Sequence, residues 1–169
     1  MKLQMKVVDN FLPEEDFKLA QLLIMDYGFP WMWNDSVTRE VGKSDPSEFQ
    51  FVHSFYDPLS GVATNYPRWL EIVKPYADRM NAVSLMRIKA NLNVATTEHI
   101  TREFHTDFKV KCTTAIAYIN NNNGYTLFED GTKVESKENR VVIFNSQMPH
   151  AGIPCTDAKR RVVINFNFI

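Results

Sequence analysis

The spacing of apolar residues along the chain changes near residue 83. Before that point apolar positions mostly recur every three or four residues, which predicts helices, and after it they alternate with polar positions, which predicts strands. Two helices followed by a run of short strands indicate an α+β fold that is mainly β. Strands this short, separated at regular intervals by turn residues, favour a sandwich or jelly roll.

The two predicted helices both begin near a proline. Pro13 is followed by three acidic residues, which suit the positive end of a helix dipole, and Gly28 with Pro30 ends this first helix. Its apolar side is formed by Phe17, Ala20, Leu23 and Ile24. The second helix begins near Pro67, and its apolar side is formed by Trp69, Val73, Tyr76 and Met80.

The segment 84–94 shows the alternation of a strand most clearly. One face carries Met86, Ile88, Ala90 and Leu92, and the other carries Arg87, Lys89, Asn91 and Asn93. The other predicted strands are 50–56, 112–120, 125–129, 132–135, 140–145 and 160–169. The polar segment 34–48, which contains a glycine and a proline, is predicted to be a loop.

Composition and charge narrow the functional classes. A chain of 169 residues can bury a sizeable core, and we expect a single domain over 1–169. The formal net charge of -1 shows no basic excess, so we do not expect a nucleic-acid partner. Cys112 and Cys155 lie far apart, which predicts reduced thiols in a cytoplasmic protein. We expect neither a secretion signal nor a membrane span, since no apolar run approaches ~20 residues.

Three residues form a pattern typical of a metal site. His105 and Asp107 lie two residues apart, so on an extended strand both side chains point to the same side. His150 follows the predicted strand 140–145 after a short turn, where it can face the first two from a neighbouring strand. Two histidines and one carboxylate are the ligands with which non-heme Fe(II) oxygenases hold their metal, leaving one of its faces open. The alternative is a surface histidine beside a loop-capping aspartate.

The last predicted strand, 160–169, has two unlike faces. One face is mostly apolar and suited to pack beneath the helices: Arg160, Val162, Ile164, Phe166 and Phe168. The other face is mostly polar: Arg161, Val163, Asn165 and Asn167. Polar side chains on a buried strand need polar partners. This second face is therefore predicted to border a binding site.

The order of an H-x-D pair, a distal histidine and a later arginine resembles the Fe(II)- and 2-oxoglutarate-dependent dioxygenases. Within that superfamily the chain is similar to the prolyl-4-hydroxylase-like branch and its small stand-alone microbial and phage members. The resemblance covers nearly the whole chain, through the segments 8–15, 115–120, 123–128 and 142–144. It implies a double-stranded β-helix, which is a cupin-like jelly roll, with the N-terminal helices packed on one sheet.

The resemblance also implies a cofactor, two cosubstrates and a reaction. His105, Asp107 and His150 would bind Fe(II), and 2-oxoglutarate and O2 would be consumed to hydroxylate an unactivated C–H bond, releasing succinate and CO2. The C5 carboxylate of 2-oxoglutarate would pair with Arg161, whose planar guanidinium suits a carboxylate. Arg160 is the rival anchor. Counting from His150 does not separate the two arginines, whereas strand alternation places Arg160 on the apolar face.

Three further cosubstrate contacts are implied by the same resemblance. Tyr118 stands where the family often places a tyrosine hydroxyl near the C5 carboxylate, and Asn165 where a small polar residue often assists. Asn93 departs from the family, because many members have a tyrosine at that strand position. Asn91 lies on the same face as Asn93. For each of these residues ordinary inward packing is the alternative.

The resemblance leaves the substrate open, since a fold does not determine it. The substrate would be a protein, with peptidyl proline as one candidate, or a small molecule. The segments 34–48 and 95–103 are the candidate substrate loops. The alternative function is a cupin-type protein that binds a metal or a sugar without oxidising anything. Arg161 argues against that alternative, because such a protein needs no carboxylate anchor after its last metal ligand.

The remaining histidines and two tryptophans are given structural roles. His53 alternates with phenylalanines in a predicted strand, so we expect it to be structural, and His99 is expected to be a solvated loop residue. Trp31 and Trp33 are expected to pack in the core or against a helix, and the alternative is that they line a substrate groove.

Overall fold

A computed structural model describes residues 5–35 and 49–169 of the chain. The helices of these residues are α1 (Glu14–Met25) and α2 (Trp69–Arg79). The strands are β1 (Lys6–Val8), β2 (Met32–Asn34), β3 (Gln50–Asp57), β4 (Gly61–Val62), β5 (Leu85–Val94), β6 (Thr113–Tyr118), β7 (Tyr125–Phe128), β8 (Lys133–Glu135), β9 (Arg140–Asn145), β10 (His150–Ile153) and β11 (Arg160–Phe168).

Both helices lie where the apolar spacing predicts them. All four residues of the predicted apolar side of α1 are buried. In α2 the buried residues are Ile72, Val73 and Tyr76, so its buried face is broader than the predicted one and includes Ile72. Neither helix of the described residues is long and apolar enough to cross a lipid bilayer.

The described strands form two antiparallel sheets. The larger sheet has the order β1-β9-β6-β11-β5-β3-β2, with β4 paired to β3, and the smaller sheet has the order β10-β7-β8. One core lies between the helices and the outer face of the large sheet. A second, smaller core lies between the two sheets and includes Phe128 and Val134 of the small sheet with Phe144 of the large one. The predicted α+β jelly roll, with its N-terminal helices packed on one sheet, is confirmed.

Alternation along β5 and β11 separates the outer core from the space between the sheets. The outer core receives Ile88, Ala90 and Leu92 from β5, and Val162, Ile164, Phe166 and Phe168 from β11. The two strands are neighbours, with Arg161 opposite Asn93 and Asn165 opposite Lys89. The polar residues of both strands therefore face the inside of the double-layered structure together.

The sequence pattern misses β1, β2, β4 and β10, which have two to four residues each. Such segments are too short to show an alternation, and the pairing partners of β1, β2 and β10 are distant in sequence. Residues 36–48 of the predicted loop lie outside the described residues, and Asn34 ends β2. The predicted strands 125–129 and 132–135 correspond to β7 and β8, and the turn between them has Gly131 at a φ of 87°.

Candidate active site

His105, Asp107 and His150 come together at one edge of the two sheets. One potential ligand atom of each lies within 4.8 Å of those of the other two. The backbones of His105 and His150 exchange two hydrogen bonds of 3.0 Å, which form an isolated β-bridge. The predicted extended strand through His105 and Asp107 is wrong. Among the described residues His105 pairs only through this bridge, and the chain bends at Asp107.

Both imidazoles are held in a form that can bind a metal. Nδ1 of the buried His150 lies 3.0 Å from the carbonyl oxygen of Met148, so Nδ1–H donates and Nε2 keeps its lone pair for a ligand. Burial lowers the pKa of His105, and the adjacent His150 lowers it further. Neutral imidazole is the ligating form, so this environment favours metal binding at neutral pH.

Asp107 is fixed by three donors on neighbouring strands. Arg87 Nη2 donates to Oδ1 at 2.8 Å, and Thr114 Oγ1 and Asn167 Nδ2 donate to Oδ2 at 3.0 and 3.1 Å. Burial of this carboxyl favours its neutral form. The electrostatic interactions with His150 and Arg87, together with the hydrogen bonds from Asn167 and Thr114, nevertheless hold the pKa of Asp107 below its ordinary value. Asp107 is therefore an anionic ligand at neutral pH.

This donor set fits a divalent iron. Two neutral imidazoles and one carboxylate are the ligands of the non-heme Fe(II) site, and their mutual distances allow all three to contact one ion. His150 and Asp107 also form hydrogen bonds to other protein groups, His150 to the Met148 carbonyl and Asp107 to Arg87, as metal-binding residues usually do. The structure thus brings the three predicted ligands together in an arrangement that suits the predicted metal.

Arg161 is a buried cation with no carboxylate partner among the residues that the structure describes. Its exposed fraction is 2%, and none of the ion pairs among the described residues includes it. Nε donates to Ser136 Oγ at 2.9 Å and Nη2 to Thr126 Oγ1 at 3.1 Å. Burial lowers the pKa of Arg161, although a guanidinium stays protonated in proteins. A buried charge without a counter-ion is costly, so this position suits an anionic ligand.

One cavity of about 980 Å³ is lined by both the potential metal ligands and Arg161. It is lined by the three candidate metal ligands, by Arg161 and by the polar faces of β5 and β11, including Asn91, Asn93 and Asn165. Nδ2 of Asn93 and Oδ1 of Asn165 are buried and have no hydrogen-bond partner among the described residues. Buried polar atoms are rarely left unpaired, so the cavity wall offers binding groups that are not used within the protein.

Tyr118 and Arg160 lie outside the cavity lining. The hydroxyl of the fully buried Tyr118 donates to Thr126 Oγ1 at 2.8 Å, and the Arg161 guanidinium lies 5.6 Å from its ring centre. Tyr118 therefore supports Thr126 and Arg161 from behind. Arg160 projects to the opposite face of the sheet, where Nη2 donates to the carbonyl of Met25 at the end of α1.

The sequence does not single out Thr126 and Ser136, which hold Arg161, or the Asp107 partners Arg87, Thr114 and Asn167. Strand alternation places Arg87 and Asn167 on inward polar faces without indicating a role. Thr114 reaches Asp107 because it lies opposite Asn167 in the sheet. That register follows from the long-range pairing of β6 with β11, which no local pattern reveals.

The structural role predicted for His53 agrees with its contacts to the Pro30 carbonyl at 2.9 Å and to Thr64 Oγ1 at 2.8 Å. His99 is exposed, as predicted, and packs edge-on against Tyr125. Trp31 packs against the outer core as predicted.

The core prediction is wrong for Trp33. Its side chain is 58% exposed on β2 and stacks on Phe49, because β2 is the edge strand of the large sheet. Cys112 and Cys155 are buried free cysteines. This agrees with the predicted reduced thiols.

Comparison with known proteins identifies relatives in structure alone. No protein-family model and no curated protein matches the sequence. A prolyl hydroxylase from Trichoplax adhaerens, in complex with a hypoxia inducible factor oxygen degradation domain peptide fragment, matches with a TM-score of 0.67 at 14% identity, over 97% of this chain and 83% of that chain.

Two bacterial structures match to a similar degree. An oxidoreductase of the 2OG-Fe(II) oxygenase family from Burkholderia pseudomallei has a TM-score of 0.66 at 10% identity, over 97% of this chain and 84% of that chain. A prolyl-4-hydroxylase from Pseudomonas putida has a TM-score of 0.62 at 16% identity, over 97% of this chain and 91% of that chain. At such low identity these matches show a shared fold. The fold implied by the sequence resemblance is thereby confirmed.

Proposed function

We propose that this protein is an Fe(II)- and 2-oxoglutarate-dependent oxygenase that hydroxylates an unactivated C–H bond. The observation that carries the proposal is the content of one cavity. It holds a His-Asp-His cluster with ligand atoms within 4.8 Å of one another and a 2% exposed guanidinium that has no carboxylate partner in the described part of the chain. The first suits Fe(II) and the second suits the far carboxylate of 2-oxoglutarate. The fold shared with 2OG-Fe(II) oxygenases supports the same conclusion.

The roles of the individual residues follow from their positions. His105, Asp107 and His150 would hold the iron. When bound, Fe(II) with 2-oxoglutarate and O2 supplies the oxidising chemistry, in which one oxygen atom enters the substrate C–H bond and the other enters succinate as CO2 is released. The protein binds and orients these reactants and limits access of water.

Arg161 would anchor the C5 carboxylate, with its orientation fixed by Ser136 and Thr126. Thr126 Oγ1 lies within hydrogen-bond distance of both Arg161 and Tyr118 and also lines the cavity, so we propose it as an additional carboxylate contact. Asn93 Nδ2 offers an unused donor on the same wall. Asn165 offers an unused acceptor, which would serve a hydroxyl group or a water molecule.

The substrate would be a peptide, with peptidyl proline as a candidate, or a small molecule. Because the structurally similar prolyl hydroxylase from Trichoplax adhaerens is in complex with a peptide, we propose to test peptide substrates first. Arg161 distinguishes this proposal from a cupin-type protein that binds a metal without oxidation, because that protein has no need of a buried carboxylate anchor. We also propose that residues 1–169 form one catalytic domain.

A succinate-release assay tests the proposed activity. The protein is loaded with Fe(II), supplied with 2-oxoglutarate and O2, and incubated with pools of proline-containing peptides, free amino acids and nucleic acids. We expect succinate from the wild type and none above background from His105→Ala. Arg68→Ala is the control, since this exposed arginine lies outside the cavity lining and outside both candidate substrate loops. A folded, iron-loaded wild type that releases no succinate with any pool, and none without substrate, would contradict the proposal.

A further inference from the structure

Arg87 belongs to a row of three polar residues on adjacent strands. Asn167 of β11 lies directly opposite Arg87 of β5 on one side and Thr114 of β6 on the other. All three side chains reach the same carboxylate, that of Asp107, at distances of 2.8 to 3.1 Å. Because Asp107 lies at a bend outside any strand, its position depends on these side-chain contacts.

Arg87 orients Asn167 as well as Asp107. Its Nε donates to Asn167 Oδ1 at 3.0 Å, while Nη2 donates to Asp107 Oδ1. With its oxygen engaged in this way, the Asn167 amide must turn its Nδ2 toward Asp107 Oδ2 and Thr114 Oγ1. One planar guanidinium thus determines the donors at both carboxylate oxygens.

The same guanidinium contacts the residue that follows Asp107. Its central carbon lies 5.0 Å from the ring centre of Phe108, a distance at which cation–π attraction operates. The Arg87 side chain is 24% exposed and lines the cavity, so it is not part of the apolar core. These contacts tie the segment that carries Asp107 to the rigid sheet.

We infer that Arg87 is a positioning residue, which acts through Asp107 and Asn167 to hold the carboxylate in the orientation that binds the metal. This inference rests on the proposed function, because it assumes that Asp107 is a metal ligand. The charge of Arg87 has the opposite effect, since a cation beside a divalent metal weakens its binding. Whether metal affinity falls or rises when Arg87 is replaced therefore shows whether its orienting contacts or its charge has the larger effect.

The test measures the affinity of the protein for Co(II) and for Fe(II) under anaerobic conditions by calorimetry, with no cosubstrate present. If orientation dominates, Arg87→Met and Arg87→Lys each weaken metal binding by about 10- to 100-fold, as is usual when the partner of a metal ligand is lost. Lysine retains the charge but cannot place two donors in the fixed directions of a guanidinium, so it should not rescue. Arg68→Met, on an exposed arginine paired with Glu71, is the matched control.

Two further measurements extend the test, and the first of them keeps the inference testable if the Arg87 variants fold poorly. Thr114→Val should weaken metal binding while Thr114→Ser, which keeps the donor, binds like the wild type. In a folded Arg87→Ala variant, methylguanidinium should tighten metal binding more than methylammonium does. Unchanged or tighter metal binding by both Arg87→Met and Arg87→Lys would overturn the positioning role. A folded wild type that binds no metal would instead overturn the proposed function itself.

Discussion

Replacing Arg161 with methionine should separate ligand binding from stability. In the proposed complex the guanidinium and the C5 carboxylate form a buried charge pair. Loss of one partner of such a pair costs about 2–5 kcal/mol. Since roughly 1.4 kcal/mol corresponds to a factor of ten, the dissociation constant of 2-oxoglutarate should increase by a factor between about 30 and several thousand.

The stability of the ligand-free protein should change far less. Methionine removes the hydrogen bonds to Ser136 and Thr126, which are worth about 1.5–3 kcal/mol each when the donor is charged. It also relieves the burial of an unpaired cation, which costs several kcal/mol. These two effects oppose each other, so we expect the free energy of unfolding to change by no more than about 2 kcal/mol.

Anaerobic calorimetry of the Fe(II)-loaded protein with 2-oxoglutarate measures the affinity, and urea unfolding of the ligand-free protein measures the stability. Arg160→Met is the control, because Arg160 faces α1 and lies away from the cavity. This variant should bind 2-oxoglutarate with an affinity within about threefold of the wild type, a difference smaller than the roughly 1.4 kcal/mol of a tenfold change. The reasoning would be refuted if Arg161→Met bound 2-oxoglutarate as tightly as the wild type. A large loss in Arg160→Met alone would transfer the anchor role to the rival arginine.

Three predictions concern the scaffold. Burial lowers the pKa of His53 from 6.5, although its hydrogen bond to the Pro30 carbonyl opposes this shift. The unfolded state therefore binds more protons than the folded state, so the free energy of unfolding should fall as the pH drops below 6.5. In His53→Gln, the free energy of unfolding should depend less steeply on pH. Cys112 and Cys155 are buried, and burial raises the pKa of the Cys155 thiol. Both thiols should therefore react with a thiol reagent only after denaturation, and rapid reaction of the native protein would contradict this. Phe166→Ala should destabilise the protein by about 3–5 kcal/mol in urea unfolding, and a loss below about 1 kcal/mol would be inconsistent with its complete burial.

The sequence predicts the elements whose pattern is long enough to be distinctive. β5 alternates from Arg87 to Val94 and β11 alternates from Arg160 to Phe168, so the face of each residue in these stretches follows from parity alone. That parity also separates Arg161, in the cavity, from Arg160, on the helix side. The core prediction fails for Trp33, since nothing local indicates that this residue lies on an edge strand.

Within the candidate site, the clustering of three potential metal ligands could be predicted, but the contacts that support them could not. The three potential metal ligands stand out by residue type and spacing. Their partners depend on register, since Thr114 and Arg87 meet at Asp107 only through the pairing of both their strands with β11. Tyr118 shows the same limit: its strand is predicted correctly, whereas its position behind Thr126 depends on how the small sheet covers the large one.

Anaerobic addition of Fe(II) and then 2-oxoglutarate tests most directly whether His105, Asp107 and His150 form an iron site that accepts this cosubstrate. We expect one iron per chain and, when 2-oxoglutarate is added, the weak visible charge-transfer band of its chelate with Fe(II). Asp107→Ala should bind iron weakly and show no band. A folded, iron-loaded wild type without that band would contradict the cosubstrate assignment, and equal iron binding by Asp107→Ala would contradict the metal site.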